Sequence, residues 1–302
     1  MIPQQQPRLK SSFIYLANAV RDLTSNWETF ALTLTPLALV AALCLMPDAL
    51  NLQHELMRFF SSGVHNVGVR EVQLIKEGPQ ANLPFSPWQT RLLHLIILLL
   101  TLGVNLVVLC ALSRIRAGVR ENNPLGEARA VYRRAWKLIG PFSWVFLLQV
   151  LTVIVGLVLL VIPGALAYIW LYFAQYAVVM DNQRSWPALL FSRELMRGRF
   201  FAVAMRIVVF LAVWSGFNSW TGGAFVLVSW TLGIIGAVTG FLWAGIFAAD
   251  LLATCVGYAT IAFFFAAGAR LYEDLNQLRR ARQELAPAPS LAPTEALGAR
   301  PS

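Results

Sequence analysis

Charged residues are scarce in this chain of 302 residues, and long stretches contain none at all. They make up 13% of the sequence, whereas ordinary soluble domains carry about 25%. Hydrophobic residues make up 58%, and the mean hydropathy is +0.62. This composition excludes an ordinary soluble domain and indicates an integral membrane protein.

Motifs for catalysis and metal binding are also missing. The sequence contains no G-x-x-x-x-G-K-[ST], H-E-x-x-H, C-x-x-C or G-x-S-x-G pattern. We therefore predict no enzymatic activity, no cofactor, no metal site and no disulfide framework. The histidines and cysteines are widely spaced and match no metal or redox pattern: His54, His65, His94, Cys44, Cys110 and Cys255.

The net charge of +9 does not indicate nucleic-acid binding, because the basic residues lie between apolar runs and form no separate basic domain. They concentrate in the amino-terminal segment, in residues 113–140 and 181–199, and in the tail from Arg270. Cytoplasmic loops of membrane proteins carry such an excess of Lys and Arg. If all four segments are cytoplasmic, the number of spans is even.

One long uncharged run, Pro141–Met180, has forty residues without Lys, Arg, Asp, Glu or His. As one helix it would measure ~60 Å, twice the ~30 Å hydrocarbon core of a bilayer. The run must therefore fold back on itself. We predict a transmembrane hairpin that turns at Pro163-Gly164, where proline lacks an N–H and glycine is flexible.

The remaining apolar runs predict an all-α, polytopic transmembrane bundle of about six spans. We expect Pro47 to end the first span, and Ala224–Gly240 to form a re-entrant or outer-leaflet helix; the alternative is seven spans. The four spans outside the hairpin are expected at about Thr29–Met46, Leu92–Leu112, Phe200 to 215–220, and Leu242–Ala269.

The domain organisation follows from these spans. Residues 1–28 are expected to form a cytoplasmic, interfacial amphipathic segment, 29–285 the transmembrane domain, and 286–302 a disordered Pro/Ala-rich tail. Within the transmembrane domain, residues 47–90 form the extracytoplasmic loop, with a weak strand pattern at Val67–Ile75 and a helical stretch at Leu50–Phe60. A second interfacial helix is expected at Ala128–Ile139. The apolar face predicted for the amino-terminal segment is Phe13, Leu16, Ala17, Val20, Leu23 and Trp27.

A family pattern covers roughly residues 115–280. A basic helix precedes an I-P-G turn, and a Trp/Tyr-rich span follows. An S-x-x-L-x-x-G segment, expected to form a short cytoplasmic helix, leads into the next span. This order resembles the bacterial YciC-like group, which is similar to the membrane domain of some glycerophosphodiester phosphodiesterases. The resemblance implies a multi-span inner-membrane protein and brings no catalytic residues. The motif residues, expected to have structural roles, are Gly156, Ile162, Pro163, Gly164, Ser192, Leu195 and Gly198.

Polar residues inside apolar spans are the functional candidates, because a charge at mid-bilayer costs ~2.5–3.5 kcal/mol on insertion scales and usually faces protein or a wet cavity. Amide side chains inside a membrane ordinarily form hydrogen bonds between helices. The Arg206 side chain would ordinarily extend to the cytoplasmic surface. An ion pair of Arg206 with Asp250 would require both residues to lie at the same depth in the membrane. The predicted intramembrane polar site comprises Asn105, Gln149, Gln175, Arg206 and Asp250.

Two functions compete on this evidence. The first is a non-catalytic accessory or scaffold role in the cell envelope. The alternative is a small-molecule or lipid transporter with a polar intramembrane cavity. We expect an inner-membrane location with both termini in the cytoplasm. We also expect the basic loops to attract anionic lipid headgroups, with about 1 kcal/mol for each Lys or Arg near the surface. Gly236-x-x-x-Gly240 and Ala253-x-x-x-Gly257 let helices approach closely, and we expect packing within the chain first and a homodimer contact as the alternative. A membrane-protein partner is a further expectation, and nucleic acid is not.

Overall fold

The computed structural model describes residues 9–61, 87–119, 121, 123–239 and 242–285, and its regular structure in these ranges is helical. The prediction of an all-α fold is confirmed. The predicted strand at Val67–Ile75 and the tail 286–302 lie outside the described residues. The helices are α1 (Ser12–Ser25), α2 (Trp27–Ser61), α3 (Pro87–Arg116), α4 (Pro124–Leu159), α5 (Val161–Leu171), α6 (Ala174–Met180), α7 (Trp186–Met196), α8 (Phe200–Thr239) and α9 (Leu242–Leu285).

Six segments of the described chain are long and apolar enough to cross a membrane, which confirms the predicted six-span bundle. The short helices α5 and α6 together form one of them, since either alone is too short to span ~30 Å of hydrocarbon. The six segments are Trp27–Leu45, Arg91–Arg116, Pro124–Leu159, Val161–Met180, Phe200–Phe225 and Phe247–Glu284.

The predicted hairpin is present, but its turn lies earlier than expected. The chain reverses at Leu160, whose backbone is extended (φ −166°, ψ 147°), and Pro163 is already inside α5. The reversal brings two glycines together: a Cβ added to Gly156 would lie 2.8 Å from the Gly164 Cα. The motif glycines thus let the two arms approach closely, and neither of them makes the turn.

Three predicted helix boundaries are wrong. Helix α2 continues through Pro47 to Ser61, which includes the expected stretch Leu50–Phe60, and α4 continues through Pro141, so Ala128–Ile139 is not a separate helix. Helix α8 runs without a break to Thr239, so Ala224–Gly240 is no re-entrant segment as far as the chain is described. Proline removes one backbone hydrogen bond, and membrane helices tolerate this where neighbours satisfy the freed groups.

Ion pairs gather the basic segments at one end of the bundle. The Arg270 Nε donates to Asp22 at 2.9 Å, and the Arg116 guanidinium lies 2.7 Å from Glu273. Lys10 lies 3.7 Å from Asp274. These contacts join the amino-terminal segment, the end of α3 and the carboxyl-terminal half of α9. The described parts of both terminal regions therefore lie on the same side of the bundle.

Helix α1 packs on the bundle through Tyr15, Leu16 and Ala19, which are buried. Of the apolar face predicted to lie at the membrane surface, Phe13 and Val20 are exposed by 73% and 50%. The buried face packs on α9, where the Tyr15 hydroxyl donates to Asp274 at 2.8 Å. Burial and the Asp274 carboxylate raise the pKa of the Tyr15 phenol, so it stays a donor. The apolar face left outside fits a helix at a membrane surface.

Helix α7 confirms the predicted short helix between the hairpin and the fifth span. Ser192 is fully buried on it: its hydroxyl accepts from the Phe173 N–H at 3.2 Å and donates to the Trp170 carbonyl at 2.7 Å. Those two backbone groups lie at the break between α5 and α6, so the Ser192 hydroxyl supplies each of them with a hydrogen-bond partner. Leu195 is buried beside it, and Gly198 ends the segment with φ +80°.

The packing within the chain expected at Gly257 is not found, because a Cβ added there would meet no atom within 4 Å, and the homodimer contact stays a prediction. Helices α8 and α9 approach closely at Gly245, where an added Cβ would lie 2.7 Å from the Leu232 carbonyl oxygen. Gly240 lies outside the described residues. The close approach at Gly245 is a contact within the chain.

Candidate functional site

A cavity of about 490 Å³ lies inside the bundle. Its volume is within the range of 300–1,000 Å³ that is typical of pockets for small molecules. Helices α3, α4, α5, α6, α8 and α9 contribute to it, together with Tyr172 between α5 and α6. The wall is formed by Thr101, Asn105, Phe146, Gln149, Val150, Val153, Ile154, Tyr168, Tyr172, Gln175, Tyr176, Phe210, Leu211, Trp214, Ile261, Phe264 and Phe265.

The cavity lies deep within the apolar part of the bundle. Asn105 marks its depth on α3, which has Arg91 near one end and Arg116 at the other. At 1.5 Å rise per residue, roughly 17 Å of helix separate Asn105 from Arg116 and roughly 21 Å separate it from Arg91. Half of a hydrocarbon core is about 15 Å. Asn105 is therefore near the middle of its span.

Three of the five predicted polar residues meet at this cavity. Asn105, Gln149 and Gln175 come from α3, α4 and α6, and all three contribute to the wall. The Gln175 Nε2 donates to the Gln149 Oε1 at 3.1 Å. This bond uses one donor and one acceptor of two amides that each carry two donors and an acceptor oxygen with two lone pairs. The pair therefore retains capacity to bond a further polar group.

Tyrosines form the second polar component of the cavity, and they were not among the predicted site residues. Tyr168, Tyr172 and Tyr176 are spaced by four residues, with successive ring centroids 6.2 and 5.8 Å apart. A Cβ added to Gly268 would collide with the Tyr176 hydroxyl, so this glycine makes room for the phenol. The regular spacing of tyrosines within an apolar span is the signal from which they could have been predicted.

Of the described residues that line the cavity, none carries a formal charge. Burying an ionised group without a partner of opposite charge is strongly unfavourable. Amide and hydroxyl groups, in contrast, can bond an uncharged hydroxyl or carbonyl. The cavity is therefore chemically suited to an uncharged molecule with large apolar surface and a few polar atoms.

Arg206 and Asp250 do not belong to this cavity. The Arg206 guanidinium donates to the carbonyls of Lys10 at 2.9 Å and Leu9 at 3.1 Å, so it holds the amino-terminal segment at the charged end of the bundle. Asp250 lies near the opposite end of α9, where its backbone carbonyl accepts from Thr254 at 2.7 Å.

Their separation excludes the hypothetical Arg206–Asp250 pair. Helices α8 and α9 pack against each other on either side of the connection between Thr239 and Leu242. Arg206 is far from that connection and Asp250 is close to it. At 1.5 Å per residue their levels differ by roughly 35–40 Å.

One side of the cavity is less closely packed than the others. Helix α8 packs along α9 and touches α1, but among the described residues it forms no extended contact with α4 or α5. Ile154 on α4 and Trp214 on α8 line the cavity and are also 51% and 42% exposed at the outer surface. Toward the charged end, the rings of Trp170 and Phe200 meet at 5.8 Å and join α5 to α8.

The remaining motif residues lie away from the cavity. Ile162 is 73% exposed at the tip of the hairpin, next to the exposed Pro163. The motif residues therefore lie at the hairpin tip, at the contact between Gly156 and Gly164, and at the buried Ser192, and not in the cavity wall. Within the described part of the chain, no group of three or more His, Cys, Asp or Glu residues is arranged to hold a metal ion.

Comparison of the chain with protein-family models, with curated proteins and with solved structures finds no match in any of the three. The resemblance to the YciC-like group therefore stays a prediction.

Proposed function

We propose that this chain is a multi-pass membrane protein that binds a small uncharged molecule or lipid in its intramembrane cavity, and that it transports or handles that ligand without catalysing a reaction. The observation that carries the proposal is the meeting of Asn105, Gln149 and Gln175, from three different helices, at one apolar cavity. Ligand pockets commonly combine apolar walls with a few converging polar groups.

The ordinary role of such amides is to bond neighbouring helices, and the bond between Gln149 and Gln175 serves that role. This role alone does not require the space beside them. The space of about 490 Å³ beside them opens to the outer surface at Ile154 and Trp214 and is large enough for a small molecule or a lipid chain. A bound ligand that uses the free bonding capacity of the amides accounts for both the space and its polar groups.

The orientation is part of the proposal. The charged end that joins the termini contains Arg114, Arg116 and Arg270, and loop 181–199 adds further arginines. By the positive-inside rule this end faces the cytoplasm. We therefore place the protein in a cell inner membrane with both terminal regions cytoplasmic, and with anionic lipids at its basic loops.

An accessory or scaffold role in the cell envelope stays the second candidate. The observation that favours it is the exposed basic edge of α7, where Arg193 and Arg197 flank a surface pocket of about 510 Å³. A peripheral partner would approach at this edge. Such a role predicts sensitivity to Arg193→Gln and Arg197→Gln, and tolerance of changes inside the cavity.

The test compares two tryptophan variants on α4. Val150→Trp places an indole at the cavity wall, and Leu151→Trp places the same group on the adjacent exposed position, which is 56% exposed. Each tagged variant is purified in mild detergent, and its retained lipids and metabolites are measured by mass spectrometry. We expect one compound at near-stoichiometric amount with wild type and Leu151→Trp, and loss of it with Val150→Trp.

Equal ligand content in the two variants would contradict the proposal. Recovery of a stoichiometric protein partner that is lost on changing Arg193 and Arg197, with no bound small molecule, would favour the scaffold role instead. Both variants are first checked for a single symmetric peak in size-exclusion chromatography, so that loss of ligand is not caused by loss of folding.

A further inference from the structure

The cavity wall has a gap between α8 and the α4–α5 hairpin, at the level of Ile154 and Trp214. Both side chains line the cavity and are about half exposed at the outer surface, which places them at its rim. The helices beside the gap have their apolar faces in the bilayer. A molecule passing between them comes from the hydrocarbon region, and it does not cross the charged end of the bundle.

At the charged end of the bundle, the space between α8 and the α4–α5 hairpin is closed. The Trp170 and Phe200 rings are in contact there, and Ser192 bonds the backbone on either side of Leu171 and Tyr172. Ion pairs of Asp22 and Arg116 join α1, α3 and α9 at the same end. Entry from this end would require these contacts to open, whereas the side gap requires none of them to change.

The chemistry of the wall and this access route together limit the ligand. We infer that the ligand is an uncharged lipid with a hydroxyl or ester group, of the diacylglycerol type, which enters sideways from the bilayer between α8 and the α4–α5 hairpin. This inference rests on the proposed function and specifies its ligand. The amides of Gln149, Gln175 and Asn105 would bond the hydroxyl and carbonyl oxygens, and the aromatic wall would contact the chains.

The depth of the amides excludes a phospholipid headgroup from the same place. A phosphate normally lies at the membrane surface, and Asn105 is roughly 17 Å of helix away from Arg116 at that surface. A phosphate moved to the amides would be buried beside uncharged groups alone. An uncharged glycerol ester loses much less hydration, and the amides replace the hydrogen bonds that it had in water.

The test uses a photoreactive diacylglycerol and a photoreactive phosphatidylglycerol, each with a diazirine on one acyl chain. The full-length protein is reconstituted in vesicles of phosphatidylethanolamine and phosphatidylcholine, illuminated, and digested, and the labelled residues are located by mass spectrometry. We expect the diacylglycerol probe to label cavity residues of α4 and α8, such as Val153 and Leu211. Unlabelled diacylglycerol should compete, and unlabelled phosphatidylglycerol should not.

Three variants and two control variants sharpen the result. Val150→Trp should abolish cavity labelling, and Leu151→Trp should leave it unchanged. Asn105→Leu should lower it by about two- to tenfold, the loss expected for one hydrogen bond to the ligand. Ile154→Trp should slow the labelling at early times, because it narrows the gap, and Leu147→Trp, a lipid-exposed control, should not.

The outcomes separate this inference from the proposed function. Equal cavity labelling by both probes, or competition by phosphatidylglycerol, would overturn the ligand class; an unchanged labelling rate with Ile154→Trp would overturn the sideways route. If the protein instead retains a phospholipid or an uncharged water-soluble compound that Val150→Trp removes, the proposed function stands and only this inference fails. If no compound or probe distinguishes Val150→Trp from Leu151→Trp, both fail.

Discussion

Replacing Gly156 by alanine should destabilise the protein through the hairpin. The added Cβ would lie 2.8 Å from the Gly164 Cα, 3.0 Å from its nitrogen and 3.3 Å from the Pro163 carbonyl carbon. Ordinary contacts of this kind are 3.4–4 Å. All three neighbours are backbone atoms, so no side-chain rotation relieves the clash, and the arms must separate by several tenths of an ångström.

The expected size follows from two opposing effects. Overpacking of a close contact costs about 1–3 kcal/mol, whereas alanine stabilises a helix relative to glycine by about 0.5–1 kcal/mol. The net destabilisation of Gly156→Ala relative to wild type is therefore about 0–2.5 kcal/mol, and relative to a glycine-to-alanine change without a clash it is about 1–3 kcal/mol. Gly216→Ala is the matched control, because its Cβ meets no atom within 4 Å and only the helix preference acts. We expect Gly216→Ala to be neutral or stabilising.

The assay is reversible unfolding of the purified protein in mixed micelles with increasing sodium dodecyl sulfate, followed by tryptophan fluorescence. Both variants are measured beside wild type in the same detergent. A Gly156→Ala protein as stable as Gly216→Ala would refute the close packing of the hairpin arms.

Three further changes test other parts of the structure. Ser192→Ala leaves two buried backbone groups without their side-chain partner, so the free energy of unfolding should fall by about 2–3 kcal/mol; unchanged stability would contradict the role of this hydroxyl. Asp22→Asn weakens the ion pair with the partly exposed Arg270. A double-mutant cycle of these two residues should give a coupling free energy of about 1–2 kcal/mol, and no coupling would contradict the packing of α1 on α9. Gly268→Ala should displace the adjacent tyrosine into the cavity and lower the amount of retained ligand at least as strongly as Val150→Trp; undiminished ligand would argue against this wall.

The number of spans and the hairpin could be predicted because they depend on local hydropathy and on the distribution of charge. The forty uncharged residues of Pro141–Met180 exceed one bilayer thickness, and this fact needs no knowledge of tertiary contacts. The short helix α7 was predicted for similar reasons.

The helix ends could not be predicted in the same way. Whether Pro47 or Pro141 ends a helix depends on which neighbours satisfy the freed backbone group, and the sequence does not show those neighbours. The position of the turn at Leu160 is likewise not visible in the sequence, because the contact of Gly156 with Gly164 exists only across the folded hairpin.

The candidate site was only partly foreseen. Asn105, Gln149 and Gln175 attract attention as polar residues in apolar spans, but the sequence does not show that they share a cavity while Arg206 does not. Arg206 differs because its long side chain reaches the backbone of the amino-terminal segment. The tyrosines were passed over because an aromatic residue in a span is ordinary until its hydroxyl is found inside the bundle.

The most direct measurement of the central claim is an electron cryomicroscopy map of the full-length protein in nanodiscs prepared with native lipid extract. We predict elongated density in the cavity, with one end at Gln149 and Gln175 and the other passing between Ile154 and Trp214 toward the bilayer. A map in which α8 packs directly against the α4–α5 hairpin, with no cavity and no added density, would contradict it.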